Sequence, residues 1–256
     1  MMEEAETERR ELLHAVLDLG EMMLTSGAEV KRVEDTITRM GMASGAVKMN
    51  VFVITSSIVV TMEDPGEKEY TETRRVMASG TNDFRRLEEM NQLSRDFCRK
   101  PCSSKELQEK IEKIVSEPEQ GNWSYAGSFL GAGGFAVFFG GSMLDGLAAG
   151  LMGLFVQKLS DGLEPHCPNA VTFNLLASFL TGLLVCILSR IFPVLNADLI
   201  MIGDIMLLIP GIPMTNSIRD VLVGDTISGT LRLTESLVRA AAIAAGFMLA
   251  IMAAGR

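Results

Sequence analysis

The first part of the chain contains apolar residues at helical spacing. Over residues 12–24 and 30–40 they recur every three or four positions, which predicts two amphipathic helices. Ser26 and Gly27 separate the two patterns. Because small polar residues and glycine favour helix N-caps, we expect one of these two residues to cap the second helix.

The pattern changes in the next part of the chain. Over residues 47–62, apolar positions alternate with small or polar ones and a TSS interruption lies between them, which predicts a β-hairpin. A third strand is expected at residues 70–77, and helical spacing returns over residues 82–98 and 104–116. Residues 1–122 are therefore predicted to form a small α+β domain.

The remaining residues, 123–256, consist mainly of long apolar stretches. Of the 32 acidic and 23 basic residues in the chain, only 8 and 6 lie in this part. About 20 helical residues cross a bilayer core of about 30 Å. The sequence thus predicts an α+β N-terminal domain followed by an all-α polytopic membrane domain of about five transmembrane helices. The expected spans are residues 123–143, 144–160, 171–192, 199–213 and 237–254.

Charge predicts the orientation and excludes one function class. If residues 1–122 with their 17 basic residues are cytoplasmic, five spans leave four later basic residues inside and two outside. The inner ones are Lys158, Arg219, Arg232 and Arg239, and the outer ones are Arg190 and Arg256. The positive-inside rule thus supports a cytoplasmic N-terminus and an external C-terminus. The charged N-terminus, MMEEAETERRELL, does not have the pattern of a cleavable secretory signal. A net charge of −9 leaves no basic field for a nucleic-acid backbone.

Motifs for catalysis are not found in the sequence. It has no P-loop, HExxH or GxSxG motif, and its two histidines and four cysteines form neither a cluster nor a CxxC. We therefore predict no catalytic residues, no cofactor and no metal site, and the chain is not expected to be an enzyme.

Polar residues inside the apolar stretches are the first candidate functional residues. Asp145, Asn174 and Asp204 lie there, and such residues usually face a cavity, pair with a partner or carry function. Asp145 falls at an expected turn, where a solvated aspartate is the alternative. Asp204 precedes the IPGIP motif with Pro210 and Gly211, where a broken helix would expose backbone groups to a cavity. Asp204 either takes part in substrate or proton coupling, or belongs to a buried structural pair.

A polar segment follows this break. One interpretation is a cytoplasmic loop with local salt bridges. The other is a polar gate in which Arg219 attracts a carboxylate substrate while Asp220 or Asp225 handles a proton. The candidate residues of this segment are Asn216, Arg219, Asp220, Asp225, Arg232 and Glu235.

A further charged group lies at the start of the second predicted helix, in SGAEVKRVED. It contains Glu29, Arg32, Glu34 and Asp35. These residues form either a regulatory or gating site that faces the membrane domain, or a charged helical face in water.

Three stretches carry a family resemblance. SGAEVKRVEDTITRM, LEEMNQLSR and above all PGIPMTNSIRDVLVGDTISGTLRLTES resemble the threonine/serine exporter family of bacterial membrane proteins, in the same order over nearly the whole chain. The resemblance implies a multi-pass inner-membrane protein that exports small hydrophilic carboxylates such as threonine and serine, driven by the proton motive force.

One departure from the family changes this expectation. Long members carry a second set of helices after the segment that matches residues 237–254. The chain therefore resembles the larger subunit of the split form, a two-component exporter associated with succinate and completed by a separate small membrane protein. This implies a partner subunit and leaves threonine/serine or a dicarboxylate open as substrate, as well as self-association.

Two function hypotheses follow for this chain. The first is a secondary exporter subunit whose translocation path is lined on its cytoplasmic side by Asp204, Pro210, Gly211, Asn216, Arg219, Asp220 and Asp225. The second is a membrane-anchored sensor or assembly module whose residues 1–122 bind a ligand or a partner.

Overall fold

The structure is a computed structural model that describes residues 2–77, 83–117 and 123–255, with side chains from Glu6 onward. It divides into two compact units. Unit 1 comprises Met1–Glu117 together with Ile212–Leu233, and unit 2 comprises Pro118–Gly211 together with Thr234–Arg256. The predicted domain boundary after residue 122 lies outside the described residues, as does residue 82, the predicted start of a helix.

Unit 1 contains a three-stranded sheet and several amphipathic helices. Its elements are α1 (Met2–Thr25), α2 (Val30–Ala43), β1 (Lys48–Ile54), β2 (Ser57–Glu63), β3 (Glu69–Arg75), α3 (Phe84–Arg99), α4 (Ser104–Ser116), α9 (Gly211–Leu222) and the beginning of α10 (Thr226–Ala253). The predicted helices and hairpin are present. The ends of α2, α3 and α4 differ from the prediction by at most three residues, whereas α1 begins at Met2, ten residues before its predicted pattern.

The sheet is an antiparallel meander in the order β1–β2–β3. Its register places Lys48 opposite Glu63 in the first pair of strands and Ser57 opposite Arg75 in the second. Alternate residues of β2 are buried because one face of the sheet covers the core of the unit. That core consists of large apolar side chains, including Leu13, Leu17, Met23, Ile37, Met40, Ile58, Met90, Phe97 and Leu107.

The predicted cap of α2 is wrong. Glu29 occupies the N-cap position, and its side chain makes no capping hydrogen bond. Ser26 and Gly27 instead belong to the turn after α1, in which Gly27 has a φ of +96° and its N–H donates to the carbonyl of Leu24 at 3.2 Å. Glycine ends the first helix here because this backbone conformation is open to it without a side-chain clash.

Unit 2 is helical over its described residues. It contains α5 (Trp123–Phe138), α6 (Met143–Leu163), α7 (Ala170–Ile191), α8 (Ala197–Leu208) and the later part of α10. Small residues allow these helices to approach closely. A Cβ added to Gly203 of α8 would lie 2.4 Å from the carbonyl oxygen of Ala132 in α5, and one added to Gly153 of α6 would lie 2.5 Å from that of Ser128.

The five predicted spans are not confirmed. Among the described helices, α7 and α10 are long and apolar enough to cross a membrane, and α8 with α9 would add a third if they form one interrupted span. The helix α5 has only 16 residues. The helix α6 has 21 residues but includes Asp145, Lys158 and Asp161.

The region after the fourth predicted span differs from expectation. The sequence predicts a span over residues 199–213 that ends at IPGIP, whereas α8 ends at Leu208 and a new helix, α9, begins at Gly211. Pro210 interrupts the helix because it has no N–H to donate, and Pro213 is tolerated because it lies in the first turn of α9. Ile212–Leu233, which the sequence places in the second domain, groups with unit 1.

Candidate functional site

Asp204 is the most deeply buried carboxylate of unit 2. It lies on α8 with no exposed surface, and neither of its carboxylate oxygens has a hydrogen-bond partner among the described residues. The helix packs against α5, α6 and α7, and the neighbouring Gly203 abuts the α5 backbone. A carboxyl group without a donor inside packed apolar helices is costly to bury, and the described residues provide no structural pair for Asp204.

A row of polar side chains lies on α7. Asn174, Ser178 and Thr181 are buried, and their spacing of four and three residues places them on one face. The Ser178 hydroxyl donates to the carbonyl of Asn174 at 2.6 Å, whereas the Thr181 hydroxyl has no partner among the described residues. Helix α10 covers this face, since a Cβ on Gly246 would lie 1.9 Å from Ser178 Oγ.

Only Asn174 of this row is predicted from the sequence. Ser178 and Thr181 are not, because hydroxyl residues are common in apolar helices and carry no charge. Their spacing from Asn174 is the signal that could have found them. The structure records no hydrogen bond between Asp204 and any of the three.

Asp145 has a structural role, unlike Asp204. It lies near the start of α6 and is buried, so the solvated loop aspartate that the sequence allows is wrong. Its Oδ2 accepts hydrogen bonds from the N–H and hydroxyl of Ser142 at 2.8 and 2.7 Å. Its Oδ1 accepts from the N–H of Asn196 at 2.7 Å. Asp145 therefore completes a capping box and joins the start of α6 to the start of α8.

The break between α8 and α9 centres on Pro210. The Ile209 N–H donates to the carbonyl of Ile205 and ends α8, and the Gly211 N–H donates to the carbonyl of Ile209 at 2.8 Å. Pro210 is buried whereas Gly211 is exposed. The backbone is thus interrupted six residues after Asp204, as the sequence predicts.

A buried ion pair joins α9 to α10 within unit 1. Asp220 Oδ2 lies 3.3 Å from Arg232 NH1, and the two side chains are 1% and 13% exposed. Arg232 also donates through NH2 to the carbonyl of Ala28 at 3.1 Å. The guanidinium therefore connects the two helices to the turn between α1 and α2, because its planar fork offers several donors at once.

The same turn makes two further polar contacts. Arg219 NH1 lies 2.6 Å from Glu29 Oε1, and Asn216 Nδ2 donates to the carbonyl of Gly27 at 3.5 Å. We call this group the polar cluster. It consists of the side chains of Glu29, Asn216, Arg219, Asp220 and Arg232 with the carbonyls of Gly27 and Ala28. The structure thereby unites two motifs that lie far apart in the sequence.

Asp225 lies beside the polar cluster, where its N–H donates to the carbonyl of Asp220 at 2.9 Å. It precedes α10, and its carbonyl accepts the N–H of Gly229 at 2.9 Å. One of its carboxylate oxygens is buried and has no partner among the described residues. Glu34 accepts the N–H of Val53 at 3.2 Å, and burial raises the pKa of Glu34, with the charge of Asp225 acting in the same direction.

The predicted site residues are therefore brought together in part. Asn216, Arg219, Asp220 and Arg232 meet in unit 1, and Glu29 from the SGAEVKRVED stretch joins them. Asp204, Pro210 and Gly211 belong to unit 2. Glu235 is exposed on α10, outside the polar cluster. Within the described ranges, no group of three acidic, histidine or cysteine side chains could hold a metal ion.

These features define a class of protein. An unpaired carboxyl group buried among packed helices, in a chain with apolar helices of spanning length, is typical of membrane transport proteins. The chain belongs to the threonine/serine exporter family, ThrE, whose family model matches residues 14–254. No curated protein and no solved structure matches the chain. Membership in this transporter family supports a role in threonine/serine export.

Proposed function

We propose that the chain is a subunit of a secondary exporter for small hydrophilic carboxylates, either threonine and serine or a dicarboxylate such as succinate. The observation that carries this proposal is the buried, unpartnered carboxyl group of Asp204 next to the break in the helix. A module that only anchors a cytoplasmic domain has no need of such a group, which argues against the sensor alternative.

Asp204 supplies the coupling to the proton motive force in this proposal. A carboxyl group that lacks fixed donors exchanges a proton with whichever side of the membrane has access to it, because no ion pair holds it in one charge state. The polar row of Asn174, Ser178 and Thr181 supplies hydroxyl and amide groups in the same unit. The interruption at Pro210 leaves backbone carbonyls available to a substrate or ion.

The polar cluster forms the cytoplasmic gate in this proposal. Arg219 is largely exposed although it pairs with Glu29. A substrate carboxylate can therefore replace Glu29 on its guanidinium, since both offer the same acceptor geometry. The pair of Asp220 and Arg232 is buried and keeps α9 and α10 together while Arg219 changes partner. Asp225 provides a second acidic group beside the gate.

The membrane arrangement completes the proposal. Five spans, formed by α5, α6, α7, α8 with the break, and α10, cross the bacterial inner membrane, and residues 1–117 lie in the cytoplasm. The exposed apolar side chains of unit 2, such as Leu130 and Phe138, face lipid, a second copy of the chain or a separate small membrane subunit. Such a subunit would complete the translocation path.

The first test is the exchange of Asp204 for asparagine in cells that export labelled threonine, serine or succinate. Asp204→Asn keeps the size of the side chain but removes the titrating proton, so efflux driven by the proton gradient should fall about tenfold or more. The matched control is Asp198→Asn, which changes an exposed carboxylate at the start of the same helix and should leave efflux within about twofold.

Dissipating the proton gradient distinguishes a loss of proton coupling in Asp204→Asn from general damage to the transporter. In wild-type cells a protonophore should reduce efflux to the level of Asp204→Asn, and it should have little further effect on the variant. Normal efflux by Asp204→Asn at equal protein abundance would refute the role of Asp204. Efflux that requires co-expression of a separate small membrane subunit would establish a two-component exporter. The labelled compound that is exported identifies the substrate class.

A further inference from the structure

A second polar site lies in unit 1 between α2 and α3. It is a cleft of about 560 Å³, within the size range of small-molecule sites. We call it the basic cleft. Its lining residues come from the exposed sides of the two helices and from Arg219 of α9. The residues that carry the argument are Arg32, Arg39, Arg95, Arg99, Arg219 and Asn91.

The charge of the basic cleft is opposite to that of the chain. Six of its lining side chains are basic and two, Glu29 and Asp35, are acidic, although the whole chain has a net charge of −9. Concave surfaces that gather one sign of charge concentrate ligands of the opposite sign. The basic cleft therefore favours an anion although the protein as a whole repels one.

The two acidic side chains neutralise only part of this charge. Glu29 already forms an ion pair with Arg219, with 2.6 Å between Oε1 and NH1, and Asp35 lies 3.8 Å from the ammonium of Lys31. Arg32 and Arg39 have no carboxylate within ion-pair distance in the described part of the chain.

The α3 side of the basic cleft has the same surplus of charge. Arg95 is held by neutral Gln92 at 2.7 Å, and Arg99 lies 3.8 Å from Asp96. Because few carboxylates offset their charge, these arginines repel one another, and an anion bound between them relieves the repulsion.

The spacing of the arginines indicates the kind of anion. Arg32 and Arg39 are seven residues apart on α2, about 10 Å along the helix axis, and Arg95 and Arg99 are one turn apart on α3, about 6 Å. A single carboxylate cannot reach all of them. An amino acid is also disfavoured, because its ammonium group would enter a positive field. The arrangement fits a small anion with several phosphate or carboxylate groups.

We propose that the basic cleft binds a small multivalent anion, and that Arg32, Arg39, Arg95 and Arg99 form the bidentate contacts with its phosphate or carboxylate groups. This site is separate from Asp204, and its ligand differs in chemistry from threonine and serine. Arg219 borders both the basic cleft and the polar cluster, so an anion that draws it away from Glu29 changes the gate. Binding in the basic cleft does not depend on the proposed export function.

The test is calorimetric titration of the full-length protein in nanodiscs of neutral phosphatidylcholine. The probes are tripolyphosphate and citrate, with threonine as the zwitterionic comparison. We expect saturable binding of both multivalent anions and none of threonine. Arg32→Gln with Arg95→Gln should weaken binding about tenfold or more. Arg75→Gln, which removes one positive charge from the exposed surface of β3, should leave it within about twofold.

Two outcomes overturn the proposal, and a further arm identifies the source of the anion. Absence of saturable binding, or equal weakening by the cleft variants and Arg75→Gln, refutes the basic cleft as an anion site. In nanodiscs that contain phosphatidylglycerol, unchanged tripolyphosphate affinity indicates a soluble anion. If the wild-type protein loses its affinity for tripolyphosphate in these nanodiscs and regains it after exchange through detergent into neutral lipid, a lipid headgroup occupies the cleft.

Discussion

The two units of this protein differ in the apolar residues that they bury and expose. Unit 1 buries leucine, methionine and phenylalanine side chains and carries charge outside, as proteins in water do. Unit 2 buries alanine and glycine at its helix contacts, while Leu130 and Phe138 are 70% and 77% exposed. Because hydrocarbon tails solvate apolar side chains, membrane helices associate through close backbone packing rather than apolar burial. This pattern agrees with a membrane protein of the exporter family, in which α7 and α10 are long and apolar enough to span a bilayer.

The buried carboxylates of the two units differ in their hydrogen-bond and ion-pair partners. Asp220 in unit 1 has a guanidinium partner, and Asp145 in unit 2 has three hydrogen-bond donors. Asp204 has no donor among the described residues. Burial by itself is therefore a poor sign of function, whereas burial without a partner distinguishes the residue proposed to carry the proton.

The largest expected effect is the loss of the buried ion pair of unit 1. Asp220→Ala leaves the Arg232 guanidinium buried without its carboxylate, which should cost about 3–5 kcal/mol of stability. Denaturant unfolding of the detergent-solubilised protein measures this change. The double variant Asp220→Ala with Arg232→Ala should recover part of it. The control Glu109→Ala alters an exposed carboxylate of α4, and a cost for Asp220→Ala as small as for this control would show that the pair is not desolvated.

The next effect tests the close packing of unit 2. Gly203→Ala places a Cβ 2.4 Å from the backbone oxygen of Ala132, which forces α5 and α8 apart and should cost about 1–3 kcal/mol. Gly162→Ala is the matched change in α6, where a Cβ meets nothing within 4 Å. It should be neutral or stabilise by up to about 1 kcal/mol. Thermal unfolding in detergent compares the two, and equal midpoints would contradict the packing described here.

A smaller effect should separate Asp145 from Asp204. Asp145→Ala removes a helix cap, which costs about 0.5–2 kcal/mol, and should reduce protein abundance while efflux per folded molecule stays unchanged. Asp204→Asn should show the reverse, with normal abundance and lost efflux. Quantified membrane protein and labelled efflux in the same cells give both values. Loss of specific efflux in Asp145→Ala would place Asp145 in the transport path.

The smallest effect is a pH dependence of unit 1. Burial raises the pKa of Asp18 and Glu21, against the lowering effect of Arg74. A carboxyl whose pKa is raised by folding contributes stability that is fully present below its unfolded pKa and is lost as pH rises through the folded value. Unit 1 should therefore become slightly more stable as pH falls from neutral toward the ordinary carboxyl range.

Hydrogen exchange of the strand amides measures this dependence in the full-length protein. Protection in β2 and β3 should rise at lower pH after correction for the intrinsic exchange rate. The rise should shrink in Asp18→Asn with Glu21→Gln. Asp64 does not oppose the change in this window, because hydrogen bonds from Lys68 and Gly66 lower its pKa. A fall in protection between pH 7 and 5 would contradict the assigned direction.

Most of the local structure of unit 1 was predictable from sequence. The alternation over residues 47–62 gave the hairpin, and α4 begins and ends at Ser104 and Ser116 as its periodicity predicts. The cap of α2 was not predictable, because Ser26 and Gly27 are both good cap residues but the chain turns through a positive φ at Gly27. Local preference was overridden by the way α1 ends.

The site was predictable to a lesser degree. Asp204 and the interruption at Pro210 follow from a charge and prolines inside an apolar run. The partner of Arg219 did not follow, because Glu29 lies 190 residues away in the chain. Asp145 was ambiguous because a carboxylate at a turn has the same sequence pattern whether it is solvated or accepts three donors.

The sequence by itself determined most elements before residue 117, the break at Pro210 and the family of this protein, because periodicity and proline act over a few residues and the motifs are long. Only the tertiary structure decided which polar residues have partners. It brought residues 26–29 to α9 and α10, gathered the arginines of α2 and α3 in one cleft and left Asp204 without a donor among the described residues. Hydrogen bonds and ion pairs depend on distances of a few ångströms between residues far apart in the chain, which no local pattern records.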